Sequence, residues 1–331
     1  MNSFIKAEAV FEGGGIRGIG IVGALKSFEE HNYIWQRAAG TSVGAIIAAL
    51  VIAGYKAKEL EKILSEMDFI KFLDKDSVNK IPLFGAALGI FRDKGIYSGD
   101  YFENWIKELL EKKGIVKFKD VMENGESKLR VITSDITLKR KVVLPDDLVD
   151  YGEEPGEFSV AKAVRMSISI PLYFKPVEFK YKNEISYMVD GGVTCNYPIN
   201  IFDTDNMKTP IIGFKFKTKE KEESLTSKGK NDPMSFLFDI ASTMSEYSIY
   251  KELSERDVAR TVFIPVDGVE STEFNITKEK AAALYTAGYY AGKRFLEIWN
   301  FKDYNKRFRR KSNVKFSIDS FIGSLFSKKR Q

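Results

Sequence analysis

The 331-residue sequence contains one cysteine, Cys195, and one histidine, His31. A single cysteine excludes an internal disulfide, and with only one histidine it also excludes a structural zinc site built within one chain. The charge-free run that ends at Tyr55 is shorter than the ~20 residues of a membrane-spanning helix. The first eight residues show no apolar core of a secretion signal. We therefore expect a soluble cytoplasmic protein.

The sequence does have a core-forming composition and an uneven distribution of charge. A length of 331 residues is enough for one large domain or two small ones, and 44% hydrophobic with 29% charged residues supports a sizeable buried core. Residues 301–331 carry ten Lys or Arg against two acids, whereas the first 300 residues carry 41 positive and 44 negative charges. This asymmetry predicts that the basic tail meets an anionic surface.

Strand and helix patterns alternate along the first 217 residues, which predicts a three-layer α/β fold with a mostly parallel sheet. The predicted strands are Ala7–Phe11, Trp35–Ala39, Arg130–Ser134, Lys141–Leu144, Tyr187–Val189 and Pro210–Lys217. The predicted helices are Ile16–His31, Ala45–Ala53 and Val160–Met166, with further helices over most of 56–120 and of Pro233–Asn300. We divide the chain into a catalytic core (1–217), a linker with a helical extension packed on that core (218–300) and a basic amphipathic tail (301–331).

The segment Gly40-Thr41-Ser42-Val43-Gly44 lies between a predicted strand and an apolar helix. In a nucleophile elbow, flanking glycines permit a sharp, strained turn that exposes the serine at the helix N-terminus. The alternative is a helix N-cap in which Thr41 or Ser42 satisfies free N–H groups. The strand–turn–helix context favours the elbow.

The segment Gly13-Gly14-Gly15-Ile16-Arg17-Gly18 also joins a strand to a helix. It matches a dinucleotide-binding loop, but that motif requires an acidic residue ~20 positions later, where this chain has Gln36–Ala39. A mononucleotide P-loop is excluded because Ile19 replaces its lysine. The glycine N–H groups fit an oxyanion hole better, and Arg17 would add positive potential for a phosphate-bearing substrate.

Asp190-Gly191-Gly192 follows a predicted strand, at the kind of position where catalytic groups gather in parallel sheets. The same letters also suit a type I′ or Asx turn. A serine nucleophile needs a base, and His31 lies ~24 Å away at the other end of the first helix. Asp190 is therefore the candidate base, and a desolvated position would raise its basicity.

Together these residues resemble the patatin-like phospholipase family over about residues 5 to 217. The resemblance is carried by Gly13–Gly18, Gly40–Gly44, Asp190–Gly192, Arg165–Phe174 and Asn196-Tyr197-Pro198. It implies a three-layer α/β/α fold, a Ser42–Asp190 dyad and acyl-ester hydrolysis on lipids. It further implies an oxyanion hole formed by Gly13, Gly14, Gly15, Arg17 and Gly18, with Gly40 and Gly44 shaping the elbow and Gly191 and Gly192 following the aspartate.

We therefore expect a phospholipase A or lysophospholipase that acts on phospholipid or lysophospholipid, without cofactor, metal or nucleic acid. The alternative is a non-catalytic membrane-binding or regulatory protein on the same scaffold. Ile81–Phe91, apolar and flanked by Lys80 and Arg92, fits either a lid or a buried connection. The tail 301–331 fits either a helix bound to the inner membrane face or one docked on the body.

Overall fold

The computed structural model describes residues 4–66, 94–205, 207–218, 253–271, 273 and 276–308. The predicted lid Ile81–Phe91, the linker stretch 219–232 and the tail residues 309–331 lie outside these ranges. None of the described helices is both long enough and apolar enough to cross a membrane.

Twelve strands and eight α-helices are numbered here in chain order within the described ranges. The strands are β1 (Ile5–Phe11), β2 (Tyr33–Thr41), β3 (Gly95–Tyr97), β4 (Met122–Glu123), β5 (Glu126–Ser127), β6 (Leu129–Asp135), β7 (Arg140–Leu144), β8 (Leu172–Phe174), β9 (Val177–Tyr181), β10 (Glu184–Asp190), β11 (Ile211–Lys217) and β12 (Thr261–Pro265). The helices are α1 (Gly18–Glu30), α2 (Val43–Ile52), α3 (Ala57–Glu66), α4 (Asp100–Glu111), α5 (Val160–Ser167), α6 (Glu255–Ala259), α7 (Lys278–Ile298) and α8 (Phe301–Phe308).

The central sheet has the strand order β12-β11-β1-β2-β6-β10-β9, and β7 also pairs with β6. The pairs from β12 to β6 are parallel, whereas β7, β9 and β10 add antiparallel pairs. Parallel neighbours need crossover connections, and α1 supplies the one between β1 and β2. The predicted α/β fold with a mostly parallel sheet is confirmed.

The two faces of the sheet are buried in separate apolar clusters. Alternate residues of β1 divide between them, because Ala9 and Phe11 point to one face and Val10 to the other. The larger cluster joins the first face to side chains of α1, α2, α5 and α7. The smaller one covers Val10 with Ile199 and Phe202 from the segment that follows β10.

Helix α7 packs on α1 at backbone distance. A Cβ placed on Gly23 of α1 would overlap the carbonyl oxygen of Tyr285, and one on Gly288 would overlap the carbonyl oxygen of Gly20. Only glycine at these positions lets the two helix axes approach so closely. Helix α7 is therefore part of the layer that covers the central strands.

Two features of the sheet differ from the sequence prediction. Thr261–Pro265 is a strand, β12, within the range Pro233–Asn300 for which helices were predicted. This five-residue run is too short to show a period that separates strand from helix. Asp190 ends an antiparallel strand instead of a parallel one, because β10 runs opposite to β6.

Candidate active site

Ser42 occupies the turn between β2 and α2 in a backbone conformation that is rare for residues with a side chain. Its φ is 53° and its ψ is −124°. Such strain persists where the surrounding structure enforces it, commonly at functional sites. The Ser42 side chain caps no N–H group of α2, and the Thr41 hydroxyl donates to the Cys195 carbonyl at 2.9 Å. The N-cap alternative is therefore wrong for both residues.

Gly40 and Gly44 permit close packing around this turn. A Cβ on Gly40 would overlap the backbone of Gly44, and a Cβ on Gly44 would meet the carbonyl oxygens of Phe11 and Glu12. Neither glycine has a positive φ, so the strain of the turn lies on Ser42 itself. The expected sharp, strained turn is present, with close packing permitted by the two glycines and the positive φ at Ser42.

The pairing of β6 brings Asp190 beside Ser42. One edge of β6 is covered by β7, and the other edge is shared by two strands. On the shared edge, Ile132 pairs with Thr41 of β2 and Thr133 pairs with Asp190 of β10. The antiparallel β10 thus ends where β2 leaves the sheet, which places the last residue of β10 next to the elbow.

The Asp190 carboxyl group faces both the elbow and its own turn. It accepts the Gly192 N–H at Oδ1 (2.7 Å), and the Ser42 side chain interacts with it. Burial raises the pKa of Asp190 to about 6, and the interactions with Gly192 and Ser42 only partly offset this. The Asx-turn alternative is thus confirmed for one oxygen, while the same carboxyl group also meets Ser42.

The glycine loop lies against Ser42. A Cβ on Gly13 would stand 3.2 Å from the Ser42 Cβ. The Gly13 N–H donates to the Asn196 carbonyl (3.1 Å), and the Asn196 side-chain amide donates to the Gly13 carbonyl (3.0 Å). The N–H and carbonyl groups of Gly13 are therefore both bonded to the buried Asn196, the first to its backbone carbonyl and the second to its side-chain amide.

Two N–H groups of this loop remain available to a ligand. Those of Gly14 and Gly15 donate to no atom within the described ranges, whereas the Gly18 N–H bonds back into the loop. Gly15 has a φ of +55° that favours glycine. Of the expected oxyanion-hole residues Gly13, Gly14, Gly15, Arg17 and Gly18, Gly14 and Gly15 are thus the two whose N–H groups have no acceptor within the described ranges.

Residues beyond 203 hold this loop in place. The Glu12 carboxylate accepts the Phe216 N–H (2.6 Å) and pairs with the Lys215 ammonium group, and burial raises the pKa of Glu12. The Ile16 N–H donates to the Ser271 carbonyl at 3.2 Å. Sequence reasoning missed these anchors; the available signal was a charged residue directly after one apolar strand (Glu12) and one near the end of another (Lys215).

Arg17 and His31 have the positions of structural residues. The Arg17 Nε donates to the Val269 carbonyl at 2.9 Å, which ties the loop to the segment after β12. His31 follows the last residue of α1, and its Nδ1 lies 2.7 Å from the Ser27 carbonyl. The interpretation of His31 as an exposed residue at the helix C-terminus is confirmed.

A family profile described as "Patatin-like phospholipase" matches residues 9–203, which is more than half of the chain and contains the elbow, the glycine loop and Asp190. The chain belongs to the patatin-like phospholipase family. The resemblance noted from the motifs is thereby confirmed.

Full-length relatives occur in a bacterium and a giant virus. "Uncharacterized protein YqhO" of Bacillus subtilis is 38% identical over 295 residues, which are 89% of this chain and 99% of that protein. "Uncharacterized protein R571" of Acanthamoeba polyphaga mimivirus is 30% identical, covering 83% and 89% of the two chains. "Probable lipid hydrolase 463L" of Invertebrate iridescent virus 6 is 28% identical over 58% of this chain and 61% of that one.

Solved structures share the fold of this patatin-like protein at low sequence identity. VipD from Legionella pneumophila superposes with a TM-score of 0.53 at 19% identity, covering 88% of this chain and 66% of its own. ExoU from Pseudomonas aeruginosa, in its heterodimeric complex with SpcU, gives 0.50 at 17% identity, covering 89% and 52%. The chain thus spans about two thirds of one structure and about half of the other.

Proposed function

We propose that the protein hydrolyses fatty-acyl esters of phospholipids or lysophospholipids with Ser42 as nucleophile and Asp190 as general base. The observation that carries the proposal is the position of Asp190, which ends β10 beside the strained Ser42 elbow and has a buried carboxyl group that interacts with the Ser42 side chain. A hydroxyl group becomes a competent nucleophile when a base lies within hydrogen-bond reach. A base with a pKa of about 6 is ionised at neutral pH yet far more basic than an ordinary aspartate.

The reaction would proceed through an acyl-enzyme. The Ser42 Oγ attacks the ester carbonyl carbon while its proton passes to Asp190. The oxyanion receives the Gly14 and Gly15 N–H groups, and its collapse expels the alcohol, which takes the proton from Asp190. Water then attacks the acyl-enzyme and gives a proton to Asp190, which returns it to Ser42 as the fatty acid leaves.

Family membership and one relative support a lipid as the substrate. The family is described as phospholipases, and the iridescent virus relative is called a probable lipid hydrolase. Within the site, the Gly14 and Gly15 N–H groups, which donate to no atom of the described residues, suit an acyl ester, whose carbonyl oxygen becomes negative during attack. Cleavage of the fatty-acyl ester, rather than of the phosphodiester, is therefore the proposed reaction.

The test compares fatty-acid release from mixed phosphatidylcholine and phosphatidylglycerol vesicles by wild type, Ser42→Ala and Asp190→Asn. Both substitutions are expected to lower kcat by about 10³-fold or more, because each removes a member of the reacting unit. Ser27→Ala, which removes a buried hydroxyl group that donates to the Ala24 carbonyl within α1, is the matched control and should retain activity.

The outcomes separate catalysis from binding. Release that survives Ser42→Ala would overturn the mechanism. Wild type that binds the vesicles but releases no fatty acid from them, or from a soluble short-chain ester, would favour the non-catalytic membrane-binding alternative. Loss in both active-site variants with full activity in Ser27→Ala is the expected result.

A further inference from the structure

We propose that Ser167, the last residue of α5, is a positioning residue that holds the elbow at Ser42 through a hydroxyl bridge to the central sheet. The proposal rests on the proposed function, since it assigns Ser167 a role only if Ser42 is the nucleophile. Three observations carry it: the hydrogen-bond pattern of β2 on β6, the two bonds of the Ser167 hydroxyl group, and the strained backbone of Ser42.

The hydrogen-bond pattern between β2 and β6 shows which acceptor the Ser42 N–H would have if β2 continued straight. The Ala38 N–H donates to the Lys128 carbonyl at 2.8 Å. In a parallel pair every second residue donates, so the donor that follows Gly40 is Ser42, and the acceptor that faces it is the Ile132 carbonyl. A strand that continued straight would therefore bond Ser42 directly to Ile132.

The Ser167 hydroxyl group stands between these two partners. The Ser42 N–H donates to the Ser167 Oγ at 2.9 Å, and the Ser167 hydroxyl donates to the Ile132 carbonyl at 2.5 Å. A hydroxyl has one proton to donate and lone pairs to accept, so both bonds are satisfied at once. The direct ladder bond is thus replaced by a bridge that keeps Ser42 one hydroxyl group away from β6.

The bridge explains how a strained backbone is maintained without loss of hydrogen bonding. Ser167 is completely buried, so no water replaces it if its hydroxyl is removed in an otherwise unchanged structure. The Ser42 N–H and the Ile132 carbonyl would then both lack a partner, and buried backbone groups without partners are costly. The favoured relaxation moves the elbow toward β6 and away from its present position.

The same short segment also fixes the base. The Asp190 N–H donates to the Ser169 carbonyl at 2.8 Å, two residues after Ser167. Residues 167–169 thus bond the backbones of both Ser42 and Asp190. A movement of the elbow relative to this segment changes the separation of the Ser42 Oγ and the Asp190 carboxyl group, which sets the efficiency of proton transfer.

The experiment measures hydrolysis of a soluble p-nitrophenyl ester and the rate at which a fluorophosphonate labels Ser42. In Ser167→Ala, kcat and the labelling rate are expected to fall together by about 10- to 100-fold, with KM changed by less than about threefold. Ser167→Cys keeps one donor and acceptor atom at this position, in a larger thiol group that makes weaker hydrogen bonds, and its loss should be about 3- to 10-fold. The cysteine variant keeps the test informative if the alanine variant does not fold.

Ser159→Ala is the matched control. Ser159 caps the N-terminus of the same helix, where its Oγ accepts the Lys162 N–H at 3.2 Å. Its loss weakens α5 without touching Ser42 or Ile132, so thermal stability should fall while kcat and the labelling rate stay within about twofold of wild type.

Two results would overturn the positioning role of Ser167 and leave the proposed function intact. One is a folded Ser167→Ala protein with wild-type kcat and labelling rate. The other is a Ser159→Ala protein that loses as much kcat as Ser167→Ala. A different result would remove the proposed function and the positioning role with it. That result is a folded wild type whose Ser42 is not labelled and whose ester hydrolysis survives Ser42→Ala. Labelled wild type that does not cleave phospholipid would revise the substrate and leave the positioning role intact.

Discussion

The two halves of the candidate active site are held by different parts of the chain. The Ser42–Asp190 pair is fixed by residues between 129 and 192, through Ile132, Ser167 and Ser169. The glycine loop is fixed chiefly by residues after 203, through β11 and the segment 266–271. The family match ends at residue 203, so Ser42 and Asp190 lie inside it and most contacts that hold the glycine loop come from outside it.

The recognisable motifs therefore do not hold the whole candidate site in place by themselves. The dyad half is held by backbone and hydroxyl bonds close to the sheet centre. The loop half depends on a buried ion pair and on backbone bonds to a strand and a segment that arrive more than 200 residues later. Damage to the C-terminal part should therefore impair catalysis even when both reacting residues are intact.

The largest effect is expected from breaking the ion pair under the glycine loop. Lys215→Met leaves the Glu12 carboxylate buried without its counter-charge, which typically costs roughly 3–5 kcal/mol of folding free energy. The pKa of Glu12, already raised by burial, should rise further, so the deficit should be small at low pH and grow as pH rises. Urea unfolding at pH 5 and pH 8 measures the loss of folding free energy and its dependence on pH.

The double variant Glu12→Gln/Lys215→Met provides the decisive comparison for that pair. Removing both charges should restore most of the lost stability, because no uncompensated charge remains. Lys217→Met, on the same strand but exposed, is the matched control and should change stability little. A double variant as unstable as Lys215→Met would show that the ion pair is not the reason.

Gly15→Ala should disable the loop half while leaving the dyad half intact. An alanine Cβ would overlap the Ser271 carbonyl oxygen, so the loop must shift and carry the Gly14 and Gly15 N–H groups with it. Loss of an oxyanion donor typically lowers kcat by about 10²–10³-fold. Gly114→Ala has a similarly positive φ (+76°) with open space around it, so it should share the backbone strain but keep kcat.

The dyad half should reveal itself through pH. Because the folded pKa of Asp190 is about 6, kcat/KM should rise with pH and reach half of its plateau near pH 6. The raised pKa means that folding favours the protonated carboxyl group. Stability contributed by this proton is complete below the unfolded pKa of about 4 and is lost as pH rises through about 6, an effect on the order of 3 kcal/mol.

Asp190→Asn tests the expected direction of this pH dependence of stability. The variant should unfold at higher urea concentration than wild type at pH 8, and the difference should shrink as pH falls toward 4, where wild type carries a neutral Asp190. Asp120→Asn, at an exposed carboxylate whose pKa is lowered by the Lys117 and Val116 N–H groups, should show the opposite trend. Equal stability of wild type and Asp190→Asn at pH 8 would contradict the raised pKa.

The sequence sufficed for the strand–loop–helix units that carry Ser42 and the glycine loop, because each is local and has a clear apolar period. It also indicated Asp190 through a motif. It could not show that β10 runs antiparallel, since β10 pairs with the part of the shared β6 edge that extends beyond β2. A strained turn was expected at the elbow, but the sequence did not show that the positive φ falls on Ser42 itself.

The supports of the glycine loop could not be predicted because they are long-range and carried partly by backbone atoms. Carbonyl groups of Val269 and Ser271 accept bonds from the loop whatever their side chains are. Lys215 differs, since its ammonium group pairs with Glu12 across 203 residues. A charged residue near the end of an apolar strand was the available signal, and only the fold shows that two such residues meet.

The smallest effect is expected from substitution of Arg17, and its pattern distinguishes two roles for this side chain. The sequence suggested that Arg17 attracts a phosphate-bearing substrate, whereas the structure shows its Nε bonded to the Val269 carbonyl. Arg17→Lys keeps the charge but loses this bond, which is worth roughly 1.5–3 kcal/mol for a charged donor before relaxation. If the arginine clamps the loop, kcat should fall by about tenfold on a neutral ester and a phospholipid alike. If it attracts phosphate, Arg17→Lys should be nearly silent and Arg17→Gln should raise KM only for the phospholipid. Arg256→Lys, whose side chain bonds to Tyr304 away from the site, is the control for both substrates.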